Sequence, residues 1–61
     1  MAYATMKKLI SNENAKYSAG IVSDSDYEIW KTGAMNKLDV FFASGRLNEA
    51  QYEELVGLFA I

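Results

Sequence analysis

Cysteine, histidine and proline are all missing from this chain. Without cysteine there is no disulfide, and without cysteine or histidine the usual tetrahedral zinc site has no ligands. Those are the staples on which domains below roughly 70–80 residues commonly rely, together with a partner subunit. A chain of 61 residues buries only about 60% of the surface it exposes when unfolded. What remains to stabilise it is tight helix packing or self-association. The same absences narrow the chemistry, because the thiol nucleophile and the most versatile general base are both gone. The lack of proline leaves glycine and polar caps as the only helix breakers, which favours an all-α chain.

Charge of one sign is also scarce. Eight acidic and six basic residues leave a net charge of −2, and like charges never run beyond the pairs Lys7-Lys8 and Glu53-Glu54. No basic stripe exists to neutralise phosphates, so nucleic-acid binding is disfavoured. A recognition helix beginning after Gly45 would carry Glu49, Glu53 and Glu54 and no cation. The wholly apolar run Val40-Phe41-Phe42-Ala43 is far too short to span a bilayer, and no apolar signal-peptide core stands near Met1. We therefore expect a soluble, unexported chain without membrane contact. With 51% apolar and 23% charged residues, the composition is globular rather than disordered, and one domain over residues 1–61 is expected.

What is present is an echo. Gly20-Ile21-Val22-Ser23-Asp24-Ser25-Asp26-Tyr27-Glu28 runs parallel to Gly45-Arg46-Leu47-Asn48-Glu49-Ala50-Gln51-Tyr52-Glu53. Each has a glycine suited to the left-handed residue that ends a helix. Each then has an apolar residue, a good N-cap (Ser23, Asn48) and a tyrosine four residues after the cap. Gln51 suits a reciprocal capping box, with Asp26 a shorter variant, and Val22/Tyr27 and Leu47/Tyr52 suit hydrophobic staples. Asp24 and Glu49 complement the helix dipole. Two helix–turn–helix junctions follow, whether or not the echo marks a duplication.

Periodicity supplies the helices between them. The first spans about Ala4 to Ser18 along Tyr3, Met6, Ile10 and Tyr17, with Leu9 beside the stripe. Its middle, Ser11-Asn12-Glu13-Asn14, is poor in helix formers and is expected to fray or bend. The second starts at Asp24 and carries Tyr27, Trp30, Ala34, Leu38 and Phe41 in phase to about Ser44. A break at Thr32-Gly33 is the alternative, giving four short helices in place of a three-helix domain. The third runs from Glu49 to about Phe59 on Tyr52, Leu55, Val56 and Phe59.

No catalytic constellation, metal set or cofactor motif emerges, and an enzyme is not expected. Asp24/Glu28 and Glu49/Glu53 stand at i, i+4, but in first helical turns, where acids serve the dipole. Asp24-Ser25-Asp26 with Glu28 lacks the twelve-residue calcium-loop pattern, and the phosphate and dinucleotide glycine motifs are absent. Trp30 and Phe41 read as core, Trp30 as its anchor. Around Val40-Phe41-Phe42, by contrast, the helix is apolar nearly all round, and Leu58-Phe59-Ala60-Ile61 is similarly apolar. Val40, Phe42, Leu58, Phe59 and Ile61 are therefore the expected protein-partner residues, with folding back onto helix one the alternative for the last four residues. No small-molecule substrate is expected.

Lys37 to Gly57, with its Leu38-Asp39-Val40-Phe41-Phe42 stretch, Gly45, the Leu47-Asn48 cap, Glu49-Ala50-Gln51-Tyr52 and Val56-Gly57, resembles the XkdX family. Those very short proteins are encoded among the tail genes of phages and phage-derived elements of Gram-positive bacteria. Tyr17-Ser18-Ala19-Gly20-Ile21-Val22-Ser23 is similar to the family's first Tyr-x-x-Gly-apolar-apolar-Thr segment. The spacing between glycines is longer here, Phe42 stands where the family has valine, and an extra helix precedes. The resemblance implies a small phage or prophage structural or assembly accessory protein, and it carries over no catalytic residue. Such a protein would self-associate or dock on a larger virion protein, in the host cytoplasm during assembly and with virion association to follow. The alternative is a mobile-element inhibitor or adaptor that binds a host protein.

Overall fold

In the computed structural model, residues 2–61 are described. Three α-helices follow one another: α1 (Ala2–Ser18), α2 (Asp24–Ala43) and α3 (Glu49–Gly57). Each packs on the other two, forming a body of 34 × 17 × 16 Å. Its long axis is set by α2, whose 20 residues span about 30 Å at 1.5 Å per residue.

Both junctions form as their residues dictate. Gly20 and Gly45 take positive φ, 76° and 80°, which costs a glycine nothing and other residues a steric clash. That turn lets Ile21 N–H reach the Lys16 carbonyl (3.0 Å) and Gly20 N–H the Tyr17 carbonyl (3.1 Å). At the second junction Arg46 N–H bonds to the Phe41 carbonyl (2.9 Å) and Gly45 N–H to the Phe42 carbonyl (3.2 Å). These are two Schellman endings of the same pattern. The following starts differ by one side chain. Ser23 Oγ accepts from Asp26 N–H (3.1 Å), with no return bond. Asn48 accepts from Gln51 N–H (2.8 Å) while Gln51 Oε1 accepts from Asn48 N–H (3.1 Å). Gln51 is long enough to close the reciprocal box, and Asp26 is one methylene short.

The core consists of Met6, Ile10, Tyr27, Ala34, Leu38, Leu47 and Leu55, contributed by all three helices and the second turn. Trp30, Phe41, Tyr52, Leu58 and Phe59 pack around it half-buried. Three expectations need correction. Trp30 is not the anchor; Tyr27, wholly buried, takes that place, because it lies closer to the centre of the α2 stripe. Helix α2, as expected, is continuous through Gly33, its apolar phase preserved there, and the four-helix alternative does not form. Ser11 to Asn14 do not fray: α1 is helical to Ser18, tertiary packing overriding weak propensity. Helix α3 ends at Gly57 instead of near Phe59, and Leu58 N–H closes the last turn on the Leu55 carbonyl (3.1 Å).

Tyrosine hydroxyls and acidic side chains tie the elements together at the surface. Glu54 on α3 accepts from the Tyr3 hydroxyl (2.7 Å) and pairs with Lys7 (3.1 Å). The Tyr3 hydroxyl and the Lys7 ammonium hold the Glu54 carboxyl below its usual range, and the same carboxylate pushes Lys7 up. Tyr17 donates to Asp24 (2.7 Å) across the first turn. Tyr52 donates to Asp39 (2.6 Å), tying α3 to α2. Both phenols are pushed up, first by the hydrogen bond to the carboxylate, which favours the protonated form.

Candidate interaction surfaces

The five residues expected to meet a partner do not converge. Val40 and Phe42 sit near the end of α2, about 200° apart around the helix at 100° per residue. Leu58, Phe59 and Ile61 lie instead beside the first half of α2, where Phe59 meets Trp30 (ring centroids 5.8 Å) and Lys31 donates to the Ile61 carbonyl. Three separate surfaces result.

The first is the outer side of α2. Ile29 and Val40 are eleven residues apart, which returns nearly to the same angular position, and they are 73% and 63% exposed. Gly33 lies on that side between them, with nothing beyond its own neighbours and helix backbone within 4 Å of where its Cβ would stand. Asn36 stands between Gly33 and Val40, and Ile29 and Gly33 also line a shallow groove between α1 and α2, whose far wall is Leu9. Gly33 is small enough, from the sequence alone, to admit a neighbouring helix, whereas Ile29 lies off the core stripe and carries no such mark. Their own stripe, offset by half a turn, was the available signal.

The second surface joins α2 to α3. Phe42 is 43% exposed and packs on the Tyr52 ring with centroids 4.8 Å apart. Val56, one turn beyond Tyr52, extends the apolar edge into solvent. Phe42 therefore already has one face covered by its own chain.

The third is a groove between α1 and α2, filled by the segment Leu58–Ile61. Asn14 Nδ2 donates to the Leu58 carbonyl (2.7 Å) and its Oδ1 accepts from the Tyr27 hydroxyl (2.5 Å). That hydroxyl accepts in turn from Ala60 N–H (2.9 Å). Leu58 and Phe59 thus pack on the chain's own core, the folded-back alternative, while Ile61 is 43% exposed. By propensity alone Asn14 is only a weak helix former. Its place four residues after Ile10, on the buried stripe of α1, marked it as a polar group with a structural partner.

Among the described residues no group of three or more Asp or Glu converges as a metal site, and no helix is long and apolar enough to cross a membrane. Comparison with protein-family models, with curated proteins and with solved structures returned no match.

Proposed function

We propose that this chain is a small helical interaction protein of the phage or prophage tail region. It acts as a structural or assembly accessory, by associating with itself or by docking on a larger virion protein. The observation that carries the interaction is the outer side of α2, where Ile29 and Val40 stand in solvent on one stripe. Gly33 between them would let another helix approach closely. The phage assignment rests on the resemblance of Lys37 to Gly57 to the XkdX family. This reading places the protein in the host cytoplasm during assembly.

Sedimentation equilibrium from micromolar to millimolar concentration tests it, with Val40→Ser beside the parent chain. Self-association is expected, and Val40→Ser should weaken it about tenfold, equivalent to about 1.4 kcal/mol, with unchanged helicity. A parent chain that stays monomeric and is absent from purified virions would defeat the reading. Capture of one stoichiometric host protein would favour the inhibitor or adaptor alternative.

A further inference from the structure

The groove occupied by Leu58–Ile61 is built like a site for an extended peptide. The side chains that hold the segment by hydrogen bonds come from α1 and α2. Asn14 takes the Leu58 carbonyl, the buried Tyr27 hydroxyl takes Ala60 N–H, and Lys31 takes the Ile61 carbonyl. The Trp30 ring meets Phe59 edge-on, and the Lys31 ammonium stands 5.5 Å from the Phe59 centroid. Backbone groups are held by hydrogen bonds, and the consecutive side chains Leu58 and Phe59 by apolar contact with the core. The strap's bond to α3 is the single turn closing at Leu58. Gly57, the residue that joins them, is exposed and touches nothing with the space its Cβ would fill.

We propose that this groove also takes the Leu58–Ile61 strap of a second copy of the chain, so that two copies exchange straps about Gly57. The occupant is defined by the segment already seated there, and exchange recreates the groove contacts of the closed form without a new surface, giving up only the Leu58 N–H bond to the Leu55 carbonyl. Swapping an identical element is a low-cost route to dimers for this reason. The short connection through Gly57 holds the strap in its own groove at an effective concentration on the order of millimolar. The unaltered chain therefore exchanges at comparable concentrations, such as a crowded assembly provides. The proposal rests on the self-association part of the reading above, but it uses a different surface.

Two complementary full-length variants test it. Phe59→Ser keeps the groove and cripples the strap; Asn14→Ala keeps the strap and cripples the groove. Isotope-labelled Phe59→Ser is titrated with unlabelled Asn14→Ala up to millimolar concentration, following the Asn14 side-chain amide and the Trp30 indole N–H by NMR. Both signals are expected to move toward their positions in the unaltered chain. They should stay put when the donor carries Asn14→Ala and Phe59→Ser together. Should Asn14→Ala fail to fold, Tyr27→Phe replaces it, removing the hydroxyl that holds Ala60 while keeping the ring. Absence of any shift, or an equal shift with the doubly altered donor, overturns strap exchange. Association through the outer side of α2 is told apart by Val40→Ser, which would weaken that contact about tenfold and leave strap exchange unchanged.

Discussion

At the scale of single residues, Gly33 and Tyr27 are the most instructive. A glycine in the middle of an exposed helix costs about 1 kcal/mol relative to alanine, and no close contact within this chain requires one at 33. Gly33→Ala should therefore raise the free energy of unfolding by about 0.5–1 kcal/mol in urea titration. If the outer side of α2 receives another helix, the same change should weaken association, so that stability and assembly move in opposite directions. Tyr27 is wholly buried, and its hydroxyl both donates to Asn14 and accepts from Ala60. Tyr27→Phe keeps the ring but leaves Asn14 Oδ1 and Ala60 N–H short of a partner. A loss of about 1–3 kcal/mol is expected, with amide exchange at Ala60 accelerating more than exchange in the middle of α3.

At the scale of elements, the two junctions form an internal comparison. Their Schellman endings are equivalent, and their caps differ in whether the bond is returned. Removing Asn48 by Asn48→Ala should cost about 1–2 kcal/mol, toward the upper part of the range for caps. Ser23→Ala should cost less, about 0.5–1 kcal/mol. Thermal unfolding of the two variants under one condition ranks them, and the reverse order would show that reciprocity of the box does not govern these helix starts. The difference has a further consequence for α3. With nine residues it is shorter than the 12–15 or so that an isolated helix needs to be marginally stable in water. Its persistence depends on the cap, the buried Leu55, and the ties to Tyr3, Lys7 and Asp39.

At the scale of the whole molecule, the surface of 4009 Å² matches the roughly 4,000 Å² expected of a folded monomer of 6.8 kDa. Shortage of core is thus not by itself a reason to expect a partner. The case for one lies in where Ile29, Val40 and Phe42 are placed. Stability is nonetheless slender, since a core of this size supplies no more than about 3–5 kcal/mol. Leu38→Ala, which should cost about 2–5 kcal/mol, is expected to abolish cooperative unfolding at room temperature. The pH profile should be lopsided. Tyr17, Tyr52 and Lys7 have folded values raised above their unfolded ones. Their contribution is complete below the unfolded value, about 10 for the phenols, and is lost as pH rises through the folded value. Glu54 is lowered, so its contribution is present above about 4.3 and lost as pH falls through its folded value. Thermal midpoints should be flat through neutrality and fall above about pH 10, with a lesser acid decline. Tyr52→Phe should remove part of the alkaline fall, and a profile unchanged by it would show that the Asp39 tie is inert.

What the sequence by itself determined is what depends on neighbours along the chain. Helix ends follow from a glycine free to turn left-handed and a capping oxygen three residues from its amide, so both junctions were legible at Gly20–Ser23 and Gly45–Asn48. The apolar stripes of α1 and α2 followed from the helical repeat, and with them most of the core. Tertiary structure decided what depends on distance across the fold. Propensity made Ser11 to Asn14 look weak, but packing and the Asn14 bonds to Tyr27 and Leu58 keep that stretch helical. Local pattern extended α3 to Phe59, whereas the hydrogen bonds offered by Asn14, Tyr27 and Lys31 draw Leu58–Ile61 away from the helix and into the groove. Hydrophobicity marked Val40, Phe42, Leu58, Phe59 and Ile61 as one class of residue. Only the folded arrangement sorts them into an outer helix side, an edge already stacked on Tyr52, and a strap, because which apolar group stays in solvent is set by what the other helices cover.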